Sequence, residues 1–208
     1  MKQNQINLSA LRQSFEKLAE NNWALSTDVF APDFCAKLAQ ECHNLYSQGE
    51  LKKASIGPAN HKVTAAEIRG DYTLWVDEAN SPLQGEFLNC LNTLREELNQ
   101  FFYLGLKRVE SHFAFYPPQA GYDKHIDNPR GASHRKITFV LYLNESWQKD
   151  HGGELSLYNP ESPDELIARL EPVLGQLILF RSDLFPHQVE KSFTPRLSLT
   201  GWFRDDAL

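Results

Sequence analysis

From about residue 106 onward, short apolar runs alternate with turn signals, and this alternation constrains the fold more than any other feature of the sequence. Turns are marked by Pro117-Pro118, by residues 128–131 (Asn-Pro-Arg-Gly), by Gly152-Gly153 and by Asn159-Pro160. Regularly spaced short strands are typical of a β-sandwich or barrel. We predict strands at Val109–Tyr116, His134–Asn144, Glu154–Tyr158, Ile167–Leu170, Gln176–Phe180, His187–Glu190 and Leu197–Phe203.

The first 105 residues have helical periodicity instead. Apolar side chains recur every three or four residues in three segments, which predicts three helices packed against the β structure. The first starts near Ser9, a candidate cap, the second opens at Pro32, and the third runs from Ser81-Pro82 to about Phe102. Short strands are predicted at Trp23–Phe30 and Tyr72–Val76.

Between the second and third helices lies a polar segment without periodicity, approximately Lys52–Arg69. Loops of this length within a compact domain are usually functional or flexible. We therefore expect a long loop here. With 208 residues, the chain is expected to form a single domain, in which 1–105 supply helical support and this loop and 106–204 supply the β core.

Composition excludes several classes of protein. The formal net charge is −6, which argues against a nucleic-acid partner, because proteins that bind the phosphate backbone of nucleic acids are usually basic. Cys35, Cys42 and Cys90 are too few for a disulfide scaffold and are expected to be small buried residues. The N-terminus lacks a signal-peptide pattern, and no apolar run is long enough to cross a bilayer. We expect a cytoplasmic protein with no membrane partner.

The segment from Tyr116 to Asp127 carries the chemistry. His125 and Asp127 are two residues apart, a spacing that places side chains on one face of a strand. His187 lies near the start of a later strand, and Arg196 follows nine residues further on. Two imidazoles and a carboxylate form the facial triad typical of non-haem Fe(II), which leaves coordination positions open. Arg196 offers a planar fork for a carboxylate near the metal.

In these features the sequence resembles the Fe(II)- and 2-oxoglutarate-dependent dioxygenases, specifically prolyl hydroxylases of the hypoxia-inducible-factor type and their bacterial relatives. The resemblance implies a double-stranded β-helix (jelly-roll) core packed against N-terminal helices. It covers roughly residues 60 to 204. It rests on I-R-G-D at Ile68–Asp71, Y-P at Tyr116-Pro117, G-Y-D-K-H-I-D-N-P at Gly121–Pro129, L-Y-L-N at Leu141–Asn144, G-G-E-L at Gly152–Leu155, P-H-Q-V at Pro186–Val189 and R-L-S-L-T-G-W-F at Arg196–Phe203.

The resemblance implies a role for each matching residue. His125, Asp127 and His187 would hold iron. The cosubstrate 2-oxoglutarate would be bound by Arg196, Tyr142, Thr200 and Tyr116. The substrate would contact Arg135, Trp202, Arg69, Asp71 and Tyr122, with the loop of about Lys53–Arg69 folding over it. His43, His61, His112, His134 and His151 lie outside the pattern and are expected to be surface or structural residues.

The implied activity is prolyl 4-hydroxylation of a protein, with Fe(II), 2-oxoglutarate and O2, stimulated by ascorbate. The bacterial branch makes elongation factor Tu a candidate substrate, and oxygen sensing is a possible role by analogy with the animal enzymes. Three alternatives stay open on the sequence alone. They are a hydroxylase of a free amino acid or small metabolite, a non-catalytic metal-binding β-barrel that serves as a sensor, and a nucleic-acid demethylase of the same superfamily.

Overall fold

The structure is a computed structural model, and it describes residues 5–54, 69–128 and 134–207. Three helices support the β structure: α1 (Leu8–Asn21), α2 (Pro32–Ser47) and α3 (Pro82–Phe102). The side chain of Asn7 accepts hydrogen bonds from the backbone N–H groups of Ser9 and Ala10. The cap of α1 is therefore Asn7, two residues before Ser9, and the expectation that Ser9 caps this helix was wrong. Ser81 caps α3 as expected.

Two antiparallel sheets form the β core. The larger has seven strands in the order β1-β9-β6-β11-β4-β3-β2, and the smaller has four in the order β5-β10-β7-β8. The predicted mostly-β jelly roll with flanking helices is confirmed. The strands are β1 (Trp23–Ser26), β2 (Lys52–Lys53), β3 (Tyr72–Trp75), β4 (Arg108–Tyr116), β5 (Tyr122–His125), β6 (Arg135–Tyr142), β7 (Leu155–Tyr158), β8 (Leu166–Leu170), β9 (Leu177–Arg181), β10 (His187–Val189) and β11 (Arg196–Arg204).

The seven-stranded sheet separates two apolar cores. Side chains alternate along β4, so Phe113 and Phe115 pack towards the helices while Ala114 and Tyr116 face the smaller sheet. The helix-side core is the larger of the two and fixes the seven-stranded sheet against α1, α2 and α3. The core between the sheets is smaller because part of that space is a cavity.

The predicted strands of residues 109–203 agree with β4 and β6–β11 to within two residues at each end. Two strands were missed: β2, which is short and polar, and β5, which lies inside the motif at Tyr122–His125. The strand predicted at Trp23–Phe30 ends at Ser26. Most of the predicted long loop, residues 55–68, lies outside the described part of the chain.

The three cysteines lie in the helices and are buried, as expected. Burial raises the pKa of each thiol to about 12, so each is a small apolar packing residue at neutral pH. Among the described residues, no helix combines the length and apolar character that a membrane span needs.

Candidate active site

A cavity of about 620 Å³ opens between the two sheets. Its walls come from β2, β3, β4, β6 and β11 of the larger sheet and from β5, β7 and β10 of the smaller one. It contains ten of the twelve residues that the sequence assigned to metal, cosubstrate or substrate: Tyr116, Tyr122, His125, Asp127, Arg69, Arg135, His187, Arg196, Thr200 and Trp202. The sheet packing thus brings residues as far apart in the sequence as Arg69 and Trp202 to one cavity.

The two histidines of the predicted triad face each other across neighbouring strands. His187 on β10 pairs directly with His125 on β5, and the ring centroids are 4.3 Å apart. Asp127 reaches both rings: its Oδ1 is 3.7 Å from Nε2 of His125, and its Oδ2 is 3.7 Å from Nε2 of His187. One ligand atom from each residue lies within 4.8 Å of the others.

Asp127 is not on a strand, contrary to the spacing argument. β5 ends at His125, and Asp127 lies in the bend that follows. Its position is set from the opposite sheet, because the Thr138 hydroxyl on β6 donates a hydrogen bond of 2.8 Å to Oδ2 of Asp127. Thr138 in turn shares a hydrogen bond with Ser182. The third member of the triad is therefore oriented by a tertiary contact.

Backbone carbonyls orient both imidazoles. Nδ1 of His125 lies 2.7 Å from the carbonyl oxygen of Asp123, and Nδ1 of His187 lies 3.0 Å from that of Phe185. A carbonyl only accepts, so each Nδ1 carries the proton. Each Nε2 then presents its lone pair to the cavity, which is the arrangement that metal-binding histidines use.

The charge states also suit a metal. Burial, followed by the neighbouring His187, lowers the pKa of His125 to about 4, so the imidazole is neutral near pH 7. Burial would raise the pKa of Asp127, but His187, His125 and the Thr138 hydroxyl together lower it below its ordinary value. A divalent ion binds neutral imidazoles and an ionised carboxylate.

The donor set fits Fe(II). Two imidazoles and one carboxylate on one side of an ion leave the other side open for oxygen ligands, as in the non-haem iron oxygenases. Bonds to nitrogen and oxygen ligands are about 2.0–2.2 Å, so neighbouring ligand atoms lie about 3 Å apart. The 3.7 Å separations that Asp127 makes with the two rings would need to shorten by about 0.7 Å, and the three ligand atoms lie within 4.8 Å of one another.

Arg196 is a buried cation with no carboxylate partner among the described residues. Its side chain is 3% exposed; Nε donates to the Gly153 carbonyl at 2.8 Å, and Nη1 donates to the Ser198 hydroxyl at 3.2 Å. The guanidinium carbon lies about 5 Å from the ring centres of Tyr116 and Tyr142. Burying an uncompensated charge is costly. The surroundings of Arg196 therefore fit an anion that enters from the cavity.

Gly153 allows Arg196 to lie this close to the backbone. It has φ of +78°, and a Cβ at this position would meet Cδ of Arg196 at 3.2 Å and the Ser192 hydroxyl at 2.9 Å. A larger residue would strain the backbone and displace the arginine. This explains why the Gly-Gly pair of the G-G-E-L motif stands next to an arginine distant in sequence.

Tyr142 supplies a second group without a partner. Its side chain is fully buried and, like that of Asp71, is not part of the cavity wall, but its ring centre lies 5.0 Å from the guanidinium carbon of Arg196. Its hydroxyl has no hydrogen-bond partner within the described ranges. Burial raises the pKa of Tyr142 to about 12, and that of Tyr116 is raised for the same reason, so both phenols stay protonated. An unpaired hydroxyl donor beside a buried guanidinium is the chemistry that a carboxylate requires.

The residues predicted to contact substrate form two groups. In the first, Arg69 makes a two-bond ion pair with Asp71, at 2.6 and 2.9 Å, and lies over the ring of Tyr122. Tyr122 stacks on His125, with centroids 3.7 Å apart. Asp71 is fully buried and is not part of the cavity wall, so it holds Arg69 rather than facing the cavity.

The second group lies near the C-terminal end of β11, away from Arg196. The guanidinium of Arg135 lies 3.5 Å above the ring of Trp202, and Trp202 is almost completely buried beneath it. Thr200 is two residues along the same strand and also faces the cavity, at 3.4 Å from the Ser198 hydroxyl. These residues give one wall of the cavity both a flat aromatic surface and a cation.

Sequence analysis missed His112, which it assigned to the surface or to a structural role. The structure places it in the cavity wall, 4% exposed, with its ring next to those of Trp75 and Trp202. Burial lowers its pKa to about 4, so the ring is neutral. The signal was present: His112 is two and four residues from Ala114 and Tyr116, and alternate residues of β4 share a face.

The chain was then compared with known proteins. Residues 111–204 match the family described as the 2OG-Fe(II) oxygenase superfamily. These residues include His125, Asp127, His187 and Arg196. The chain is 30% identical over 190 residues to Prolyl hydroxylase EGLN3 of Mus musculus, an alignment that covers 85% of this chain and 77% of the relative.

Two solved structures are similar over almost their whole length. A Pseudomonas putida prolyl-4-hydroxylase has a TM-score of 0.83 and 36% identity, with 93% of this chain and 98% of that chain covered. A Trichoplax adhaerens prolyl hydroxylase in complex with a peptide fragment of the hypoxia-inducible factor oxygen degradation domain has a TM-score of 0.83 and 27% identity. The coverage there is 95% of this chain and 91% of that chain.

Proposed function

Since the chain belongs to the prolyl hydroxylases of the 2OG-Fe(II) oxygenase superfamily, we propose that it hydroxylates a proline residue within a protein, at position 4 of the ring. Enzymes of this superfamily use Fe(II), 2-oxoglutarate and O2. One observation supports the proposal most strongly: a histidine–aspartate–histidine cluster and a buried arginine without a carboxylate partner in the described part of the chain line the same cavity.

His125, Asp127 and His187 are the proposed iron ligands. When bound with 2-oxoglutarate, Fe(II) supplies the activation of O2 that oxidises the substrate C–H bond. The protein supplies the position of the ion. The carbonyls of Asp123 and Phe185 fix both rings with Nε2 towards the cavity, and Thr138 fixes the carboxylate. These contacts are made by the protein itself and would hold the three ligand atoms in place for an ion.

Arg196 is the proposed partner of the distal carboxylate of 2-oxoglutarate. Tyr142 would donate its unpaired hydroxyl proton to the same carboxylate, while Thr200 and Tyr116 line the space beside it. The planar fork of an arginine suits a carboxylate, and a largely dry pocket strengthens the pair. The cosubstrate would thus bring a carboxylate to the buried guanidinium and an acceptor to the Tyr142 hydroxyl.

The substrate chain would enter from the other end of the cavity. Arg135 and Trp202 are the proposed contacts on one side, and Arg69 and Tyr122 on the other, with Asp71 holding Arg69. The arginines offer donors to backbone carbonyls or acidic side chains of a polypeptide, groups that a free amino acid provides in much smaller number.

Elongation factor Tu is our candidate substrate, which would place the reaction in the cytoplasm. The support is the resemblance to the bacterial branch, together with the similarity to the Pseudomonas putida prolyl-4-hydroxylase over 98% of that chain. The test is peptide mass spectrometry of elongation factor Tu incubated with the protein, Fe(II), 2-oxoglutarate and ascorbate. We expect a gain of one oxygen on a proline, absent with His187→Ala. Fragmentation against 3- and 4-hydroxyproline standards assigns the ring position.

If succinate forms while elongation factor Tu stays unmodified, the substrate proposal is wrong, and the same assay with free proline and with a lysate separates a metabolite from another protein. Ascorbate is proposed to act by keeping iron reduced. Its omission should lower the number of turnovers before inactivation without changing the first turnover. A role in oxygen sensing requires a KM for O2 at or above the oxygen concentration of the cell, measured with an oxygen electrode.

A further inference from the structure

The contact between Arg135 and Glu110 crosses the strand that carries Trp202. In the seven-stranded sheet, β11 lies between β4 and β6. Glu110 on β4 is the direct register partner of Trp202 on β11, and Arg135 starts β6 on the other side. The arginine side chain therefore extends across Trp202 to reach the glutamate. This explains why its guanidinium carbon lies over the indole ring, 3.5 Å from the ring centre.

Glu110 holds one edge of that guanidinium. Its Oε1 accepts a hydrogen bond of 3.0 Å from Nε of Arg135, and Nη2 of Arg135 lies 2.9 Å from the same oxygen. Both side chains are about three-quarters buried. A carboxylate that accepts from Nε and Nη2 fixes the rotation of the guanidinium plane as well as its position. The indole surface alone would fix only the height of the cation above the ring.

We propose that Glu110 is the residue that positions Arg135 for binding the protein substrate. The inference rests on the proposed function, because it assumes that Arg135 contacts the substrate chain. Glu110 itself is not part of the cavity wall, so it acts through Arg135 and is a positioning residue.

The local charge balance makes Glu110 important for the position of Arg135. Glu110 also accepts a hydrogen bond of 2.9 Å from Nη1 of Arg204 and lies 3.5 Å from Nη1 of Arg108. Asp206 pairs with the same two arginines, Arg108 and Arg204. Among the described residues, Glu110 and Asp206 are thus the carboxylates that pair with these three guanidinium groups. Neutralising Glu110 removes the anion between Arg135 and Arg204, and Arg204 would then repel Arg135 away from Trp202.

Asp206 provides a matched control. It carries the same charge and pairs with two of the same arginines, but the structure shows no contact between it and Arg135 among the described residues. Asp206→Asn removes the same amount of charge from the same network. If Glu110 acts only through the general charge of this region, then the two substitutions will have equal effects.

The test is a double-mutant cycle with wild type, Glu110→Gln, Arg135→Ala and the double variant, with Asp206→Asn as the control. The readouts are KM and kcat for elongation factor Tu and KM for 2-oxoglutarate. We expect Glu110→Gln to raise the KM for the protein substrate about fivefold, since a partly buried charge-assisted pair is lost while the Trp202 contact remains. The KM for 2-oxoglutarate should not change, and Asp206→Asn should change the protein KM less than twofold.

The decisive result is the double variant. If Glu110 acts through Arg135, then Glu110→Gln adds nothing to the KM once Arg135 is alanine. An equal increase in both backgrounds would overturn the inference, because Glu110 would then act on its own or on the fold. An unchanged protein KM in Glu110→Gln, with a raised one in Arg135→Ala, would also overturn it while leaving the substrate role of Arg135 intact.

If Arg135→Ala leaves the protein KM unchanged, the proposed substrate contact is wrong and the inference fails with it. Thermal unfolding of each variant checks folding. Should Glu110→Gln unfold, Glu110→Asp replaces it: the charge is kept, but the shorter side chain cannot reach across Trp202 as far. A raised KM in Glu110→Asp at unchanged kcat then supports positioning, and a wild-type KM overturns it.

Discussion

Two arginines line the same cavity in opposite states: Arg196, which begins β11, and Arg135 of β6, which lies over Trp202 near the end of β11. We call the surroundings of Arg196 the inner end of the cavity and those of Arg135 the outer end. At the inner end, Arg196 is almost fully buried and contacts only neutral groups in the described part of the chain. At the outer end, Arg135 and Arg204 are partly exposed and paired with Glu110. Among the described residues, no carboxylate pairs with Arg196, so the inner end has room for an anion from outside the protein. The outer end already has its anions, and they set the geometry of its cations.

This difference predicts how each end responds to change. A buried, uncompensated group gains most of its interaction energy from the ligand, so removing it has a large effect on binding. In a partly exposed network the interaction energy is divided among several ion pairs and water. A single substitution there should therefore have a small effect on binding, and that effect should depend on salt. Single substitutions should therefore strongly weaken the binding of metal and cosubstrate. Single substitutions at the outer end should weaken binding of the protein substrate by smaller amounts.

The largest effect is expected for the triad. His187→Ala should reduce turnover by at least about a thousandfold, because two ligands hold Fe(II) poorly, and even loss of a group that only supports a ligand costs roughly 10–100-fold in metal affinity. The measurements are succinate formation and calorimetric titration with Mn(II) as a redox-inert substitute. His134→Ala is the control, since His134 is exposed and pairs with Asp205. Wild-type metal affinity in His187→Ala would contradict the assigned ligand set.

Arg196→Ala should have the next largest effect. We expect 2-oxoglutarate binding to weaken by about 2–5 kcal/mol, since one partner of a buried charged pair is removed. Arg196→Lys should be intermediate, because an ammonium cannot form the two-bond fork. Titration of 2-oxoglutarate into the Mn(II)-loaded protein measures this. Arg181→Ala, at an exposed ion pair with Asp183, is the matched control. An unchanged affinity in Arg196→Ala would show that another cation binds the cosubstrate.

Most of this inner end could be predicted from the sequence. His125, Asp127, His187 and Arg196 stand in short motifs, and the strands that carry His187 and Arg196, β10 and β11, were predicted from the sequence pattern. The helices and long strands were also predictable, since their apolar residues repeat with periods of about 3.6 and 2. The strands that were not predicted, β2 and β5, are short and polar, so their sequences show no alternation of apolar and polar residues.

The outer end was predictable only in part. The resemblance pointed to Arg135 and Trp202, but Glu110 lies 25 residues before Arg135 and belongs to no motif. Its contact follows from the strand order β4-β11-β6, which local patterns do not specify. Thr138 was missed for the same reason, because it holds Asp127 from the opposite sheet. Residues that act through a tertiary contact leave no signal in the spacing of residue types along the sequence.

Tyr142→Phe separates stability from binding at the inner end. The hydroxyl has no partner in the described residues, so its removal should leave the stability of the ligand-free protein unchanged or raise it by up to about 1 kcal/mol. Affinity for 2-oxoglutarate should instead fall roughly five- to tenfold, as one hydrogen bond to the carboxylate is lost. Chemical denaturation and calorimetry measure the two quantities. Tyr158→Phe, at a strand end outside the cavity wall, is the control.

A loss of stability in Tyr142→Phe, without a loss of cosubstrate affinity, would show that the hydroxyl serves the fold. It would then have a partner within the protein, and the inner end would no longer contrast with the outer one in this respect.

Salt should have the smallest effect and should act on one end only. Raising KCl from about 50 to about 500 mM shortens the screening length from over 10 Å to under 5 Å, which weakens attraction to partly exposed charges such as Arg135. We expect the KM for elongation factor Tu to rise roughly two- to fourfold and the affinity for 2-oxoglutarate to change less than twofold, since Arg196 is buried. In Arg135→Ala the salt dependence of the protein KM should be reduced. Equal salt dependence of both ligands would mean that the inner arginine is as accessible to solvent as the outer one, which its 3% exposure argues against.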